Sequence, residues 1–304
     1  MNARHSERYY LTFYIRRALR IFPLYYLVLM GYTAVILAFG TKAHLLGRLF
    51  EEPLPLWTYF LYVQNFAMAL ASSFGAIWMA GSWSLAIEEQ FYFSLPAIVR
   101  KVSDRTLAGL ASFGLVGPIF LRALIQRFKF LPQLANVVLL PTTIDALSAG
   151  VLVMLLWRHW RDWLSDRSRP IGWIALAVTM CWFTYPAVPN PQAIRMAFLD
   201  GTGNSITCGV VLLYILIAPN GFVSRLLSLN WIRTLGNMAY STYLLHPILL
   251  CLAFQVAKAD DPFLNSMADL LPVFAAGVAT AVLSFTSWRL LESNLIRFGH
   301  RWRY

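Results

Sequence analysis

Charge is what this sequence has least of. Its 304 residues include 14 Asp and Glu and 25 Lys and Arg, 13% in all, against 59% hydrophobic residues. A water-soluble domain cannot hide so large an apolar share, because its surface-to-volume ratio leaves too much chain facing solvent. Cysteine is scarce as well. Cys181, Cys208 and Cys251 all lie in apolar blocks, with no CxxC pair and no His at zinc spacing. That pattern provides no basis for a disulfide framework or a metal site. The first apolar block is not expected to be a cleavable leader either: Leu24–Phe39 outruns the roughly 7–15 residues of a signal-peptide core. It reads as a retained span despite the small residues Ala38 and Gly40.

What is present is a series of long apolar runs, several approaching the ~20 residues a helix needs to cross a ~30 Å hydrocarbon core. Charges, Pro and Gly bound these runs near 22–40, 83–99, 107–125, 137–157, 171–188, 203–218, 238–257 and 269–291. A ninth stretch, 55–71, carries Pro55, Gln64 and Asn65. The net charge of +11, which in a soluble protein would point to nucleic acid, sits instead in short loops and at both ends. Cytoplasm-facing segments of membrane proteins are basic in this way, so the expected partner is the bilayer and not nucleic acid.

Parity then fixes the count. Arg100–Arg105 and Arg158–Arg169 are strongly basic and belong inside, as do Arg16, Arg17, Arg20 and the tail with Arg297, His300, Arg301 and Arg303. Pro186–Asn204 and Lys258–Asp269 are Pro-rich or acidic and belong outside. Eight crossings satisfy all of these; nine do not. The count does put one basic loop, near Arg127 and Lys129, outside. The 55–71 stretch is therefore expected to be re-entrant or interfacial, beside a polar cavity that tolerates irregular backbone. The expected fold is all-α: a polytopic membrane helix bundle of about eight transmembrane helices plus that one segment. It forms a single membrane-embedded domain, 1–304, with a cytoplasmic basic segment at 1–21 and a cytoplasmic basic tail at 292–304.

Few residues inside these runs can carry chemistry. Ser84, Glu88 and Tyr92, in WSLAIEEQFY, are spaced i, i+4, i+8 and form one polar stripe on a helix, with Glu89 about 100° away. A carboxylate at membrane depth costs on the order of 2.5–3.5 kcal/mol and must face a cavity or a partner; alternatively Glu88 and Glu89 cap the helix N-terminus at headgroup level. Arg16, Arg17 and Arg20 make a compact cationic face at helical spacing. It suits a ligand with several phosphates, or it is an ordinary positive flank. Asp145, in TTIDALSAG, is a lone carboxylate in an apolar span, a functional candidate or an interhelical hydrogen-bonding group. His246, next to Pro247, could act as a base or satisfy the carbonyls freed by the proline. The other histidines, His5, His44, His159 and His300, read as surface residues. Arg289 and Glu292 are expected to pair with each other or with neighbouring helices.

The ordered segments RRALRIFPLYYL, WSLAIEEQFYFSLP, TTIDALSAGVL, LGNMAYSTYLLHPIL and SWRLLES closely resemble the acyltransferase 3 family over nearly the whole chain. Members are membrane enzymes that acylate, usually O-acetylate, cell-surface carbohydrates and related glycans. The resemblance implies an acyltransferase transferring groups other than amino-acyl groups, located in the cell (inner) membrane with both termini cytoplasmic. The donor would be acetyl-CoA or another acyl-CoA, with no metal, and the acceptor a carbohydrate, lipid-linked or free. Arg17 and Arg20 fill the family's RxxR motif, associated with the acyl-CoA donor. Ser84, Glu88 and Tyr92 fill its SxxxExxxY pattern, associated with the active site, where Ser84 and Tyr92 would position groups or donate to the developing oxyanion. The family also has two earlier spans, the first carrying its catalytic His. Their absence here implies an N-terminally incomplete copy, through a mis-set start or truncation. Thr143 stands where the family often has Arg, and Ser293–Asn294 where a Pro usually follows the Glu. The competing expectation is a non-catalytic membrane protein, transporter-like or a degenerate paralogue.

Overall fold

The computed structural model describes residues 3–40, 42, 47–184, 201–258, 264 and 266–303. The described residues are helical throughout, joined by turns and loops. In chain order the main helices are α1 (Tyr9–Phe39), α2 (Leu56–Phe60), α3 (Gln64–Ala71), α4 (Ser82–Lys101), α5 (Asp104–Phe128), α6 (Asp145–Asp166), α7 (Ser168–Thr184), α8 (Asn204–Ile217), α9 (Phe222–Leu227), α10 (Asn230–Asn237), α11 (Ala239–Lys258), α12 (Leu270–Ser287) and α13 (Ser293–Gly299). Four helices are long and apolar enough to cross a membrane among the described residues: α1, α5, Ala239–Ala257 within α11, and Met267–Gly299; Gly201–Ile217 is a shorter apolar helix. Among the rest α7, with 17 residues, and α8, with 14, are short, and two longer helices are held back by their charges. α4 carries Glu88, Glu89, Arg100 and Lys101, and α6 ends in the Arg- and Asp-bearing stretch Arg158–Asp166. The chain is thus a multi-pass membrane protein. Most of 186–204, half of the other loop expected outside, and His44 lie outside the described residues.

The chain divides into two compact units, Met1–Gln90 with Thr234–Tyr304, and Phe91–Arg233. In the first unit α1 has 31 residues, about 46 Å at 1.5 Å per residue, and starts thirteen residues before the expected span. Arg16, Arg17 and Arg20 therefore lie inside the helix rather than ahead of it. The stretch 55–71 is two short helices of five and eight residues, neither long enough to cross. Between them Tyr62 takes a φ of 55°, a region that bulky residues rarely enter. Its ring is clamped by stacking on Tyr25 at 4.4 Å and Phe22 at 5.6 Å, each pair contributing about 0.5–1.5 kcal/mol. The Tyr25 hydroxyl donates to the Tyr59 carbonyl at 2.9 Å, and Gln64 Nε2 donates to the Ser82 carbonyl at 2.8 Å. The polar residues of this stretch thus tie it to both α1 and the start of α4. Elsewhere in the unit α11 packs along α12, and α13 with the π-helical turn Trp288–Glu292 packs on α1.

In the second unit α5 packs on α6, α6 on α8, and α7 on α8. Ser103 caps α5 by accepting from the Thr106 N–H at 3.1 Å, and α6 is kinked at Trp160, whose φ and ψ of −128° and 29° are not helical. Gly114 allows α5 and α6 to approach: a Cβ there would collide with Ser148 Oγ. The span expected over 137–157 begins later. Leu139 is extended and Pro141 opens a one-turn piece, Leu140–Thr143, because proline cannot supply the N–H that a continuing helix needs. Asp145 is consequently the first residue of α6 and not a mid-span residue.

Candidate functional site

The first unit gathers most of the singled-out residues along α1, α4 and α11. Arg17 reaches from α1 to α4 and divides its guanidinium between two carboxylates. Nη2 meets Glu88 Oε2 at 3.0 Å and Nε meets Glu89 Oε1 at 3.2 Å. Adjacent glutamates point about 100° apart on a helix, so one planar guanidinium between them is a geometric solution that the point charge of a lysine would not reproduce. Glu88 remains the more open partner, with 42% of its side chain exposed against 16% for Glu89.

The three arginines do not form one free cationic face. Arg16 donates through Nε and Nη2 to the Trp302 carbonyl, at 3.0 and 2.6 Å. Thr12 donates to the Arg303 carbonyl nearby. The two basic ends of the chain therefore lie side by side. Arg20 is exposed, close enough to Glu292 for the two charges to interact, and has no hydrogen bond or ion pair among the described residues. Glu292 is buried and accepts from Ser287 Oγ at 2.8 Å. It is not paired with Arg289, which is exposed. The π-helical turn moves the glutamate off the face that a regular i, i+3 spacing would give it.

Ser84 sits one turn before Glu88 on the same face of α4 and contacts a residue that sequence reasoning passed over. Tyr243 on α11 brings its hydroxyl to 2.7 Å from Ser84 Oγ and donates to the Gly81 carbonyl at 2.9 Å. His246 lies one turn beyond Tyr243, with ring centroids 5.9 Å apart. Its Nδ1 is 2.8 Å from the Tyr243 carbonyl and 3.1 Å from that of Thr242. The Tyr243 carbonyl is the one that Pro247, lacking an N–H, leaves without its helical donor. The imidazole therefore completes the helix through Nδ1 and leaves Nε2 outward on an exposed ring. A third α11 residue, Tyr240, donates to the Ile21 carbonyl of α1 at 2.7 Å. Tyr92 lies two turns beyond Ser84 along α4, past the unit boundary after Gln90.

Asp145 belongs to a separate cluster in the second unit, and it is not alone. Arg122 of α5 donates to Asp145 Oδ2 from both Nη1 and Nη2 at 3.0 Å, to the Thr142 carbonyl at 2.5 Å and to Thr202 Oγ1 at 2.8 Å. Both charged side chains are 3% exposed. Gly201 leaves room for the guanidinium, since a Cβ there would press on Nη1. This closed, satisfied pair ties three helices together and offers nothing to a ligand. A sequence signal for it existed, because an Arg inside an apolar helix requires a carboxylate.

Among the described residues no group of three His, Cys, Asp or Glu side chains could hold a metal ion. Chemically, the first unit places a half-exposed carboxylate, two arginines and a serine–tyrosine hydroxyl couple within apolar helices. Residues 3–289 match a family model described as an acyltransferase domain. Over 302 residues the chain is 24% identical to the peptidoglycan O-acetyltransferase OatA of Listeria monocytogenes serovar 1/2a. That alignment takes in 94% of this chain and 46% of the relative, so the chain spans about half the length of the curated relative it matches. No solved structure matches it.

Proposed function

The chain belongs to the acyltransferase 3 family, whose acyltransferase-domain model covers residues 3–289, and from that premise we propose that it is an integral membrane acyltransferase. It moves an acyl group, in our reading acetyl, from acyl-CoA to a hydroxyl of a cell-surface carbohydrate. The observation that carries this reading is the bridge from Arg17 to Glu88 and Glu89. It joins the family's donor-associated arginine motif to its active-site carboxylate in one contact. The name of the relative, a peptidoglycan O-acetyltransferase, supports a glycan acceptor.

In this mechanism the phosphates of the donor lie against Arg20 and Arg17. Glu88 takes the proton of the acceptor hydroxyl, whose oxygen attacks the thioester carbonyl; the new C–O bond forms, the C–S bond breaks, and the proton passes to the departing thiolate. Ser84 positions the acceptor. A role for Tyr92 rests on the family pattern alone. We further infer eight crossings in the inner membrane with both termini cytoplasmic, which places the arginines on the face where acyl-CoA is available. The adjacency of the two basic ends supports putting them on one side.

A second reading, a non-catalytic carrier or degenerate paralogue, draws on the engagement of Arg16 and Arg17 with internal partners. The test is transfer by the purified full chain in lipid nanodiscs. Isotope-labelled acetyl-CoA and a soluble glycan are supplied, and product is read by mass spectrometry. Glu88→Gln is expected to abolish transfer, and full activity in that variant would sink the assigned base. Absence of donor binding to the unmodified chain would favour the carrier.

A further inference from the structure

The hydroxyls of Ser84 and Tyr243 share two protons among three acceptors, and the distances decide how. In one arrangement Tyr243 donates to the Gly81 carbonyl at 2.9 Å and Ser84 donates to Tyr243 at 2.7 Å. In the other, Tyr243 donates to Ser84 and Ser84 must use the Gly81 carbonyl at 3.4 Å, at the outer limit of a hydrogen bond. The first has two short bonds and the second only one, so the first prevails. Ser84 then has no proton left to offer. What remains on its oxygen is two lone pairs, and the side chain is only half-buried.

A serine in that state attracts hydrogen-bond donors and rejects acceptors. It is unsuited to an oxyanion and suited to an O–H or N–H group of the molecule being acylated. Glu88 lies one turn further on the same face, which puts the two Cβ atoms about 5–6 Å apart. Its Oε2 is engaged by Arg17, while Oε1 has no hydrogen bond among the described residues. A hydroxyl has one proton, and the reacting one gives it to Glu88. The group donating to Ser84 is therefore a second donor on the acceptor, beside the reacting hydroxyl.

The geometry points to Ser84 and Tyr243 as an acceptor-specificity pair: Tyr243 takes the proton of Ser84, so that Ser84 accepts from a donor group adjacent to the hydroxyl that Glu88 deprotonates. Tyr243 is the positioning residue, and the acceptor class is a sugar presenting a vicinal diol or a hydroxyl beside an amide N–H. The inference rests on the acyltransferase reading and assigns the acceptor side of its site.

The experiment uses the full chain in nanodiscs with labelled acetyl-CoA, offering methyl glucoside and its 2-, 3- and 4-deoxy analogues as acceptors. In the unmodified chain, one analogue that keeps the acylated hydroxyl is expected to lose about tenfold in kcat/KM, the worth of one hydrogen bond, with the loss falling on the acceptor KM. Tyr243→Phe and Ser84→Ala should collapse that discrimination toward one, while Ser84→Thr, which keeps the hydroxyl, restores it. The donor KM should not follow the same pattern. Equal discrimination in Tyr243→Phe and the unmodified chain would overturn the pair's role while leaving the acyltransferase reading intact. No transfer from any acceptor by the unmodified chain would overturn that reading and this assignment with it. Matched thermal melting of the variants separates loss of the contact from loss of the fold.

Discussion

Removing Arg122 tests how the second unit is held together. Its guanidinium and the Asp145 carboxylate are each 3% exposed, and four contacts at 2.5–3.0 Å join the guanidinium to Asp145, Thr142 and Thr202. Arg122→Met keeps much of the side-chain volume but leaves Asp145 as a buried charge supported by Thr202 and its neighbouring backbone N–H alone. Breaking a buried pair from one side costs about 3–5 kcal/mol, whereas replacing both partners with apolar groups is often neutral or better. The single variant should therefore melt on the order of 10 °C lower, and Arg122→Met with Asp145→Leu should regain most of that loss. The assay is intrinsic tryptophan fluorescence on heating in detergent, with Trp157, Trp160 and Trp163 of α6 as reporters within the unit. A double variant as unstable as the sum of the two singles would refute the reasoning, since it would mean that the charges act independently.

Four further variants have defined outcomes. Arg20→Ala should weaken acyl-CoA binding about tenfold or more, the loss expected for a charge-assisted hydrogen bond. Arg16→Met should instead lower thermal stability with little change in donor affinity, and calorimetric titration distinguishes the two. Gly114→Ala pushes a methyl group into Ser148 Oγ and should cost about 1–3 kcal/mol; adding Ser148→Ala should relieve part of it in the same melting assay. Pro247→Ala supplies the N–H that the Tyr243 carbonyl lacks, so it should release His246 Nδ1 and shift the imidazole toward its other tautomer. Nitrogen NMR of labelled histidine would read this, and an unchanged tautomer ratio would contradict the assigned bond.

The helical character, the spans of α5, α11 and α12, and the irregular stretch at 55–71 were legible because apolar length and its interruption by Pro, Gln and Asn are local properties. The start of α1 was not. Three arginines beside an apolar run look like a flank, and only Glu88 and Glu89, seventy residues on, make Arg17 an interior residue. Asp145 illustrates the same limit. It reads as solitary along the chain because its partner lies 23 residues earlier in an apolar run and its remaining contacts arrive from Thr142 and Thr202. At the candidate site the Ser84, Glu88 and arginine positions could be read from spacing. Tyr243 could not, since a tyrosine in an apolar helix has no distinguishing pattern until α11 is placed against α4.

The bonds from Arg16 to Trp302 and from Thr12 to Arg303 impose an order on biosynthesis. Residues 91–233, an uninterrupted stretch, leave the ribosome with every partner of the Arg122 pair already made. The unit that carries the serine, the glutamates and the arginines joins residues before 91 to residues after 233, so it closes only once both stretches have been made. Until then Arg16 has no carbonyl from the tail to bond, and Glu292 and Tyr243 are not yet there to flank α1 and α4. The half with the chemistry is thus completed after the stretch 91–233, and a chain without Trp302 and Arg303 would carry its reactive groups without the strap that ties α1 to the tail.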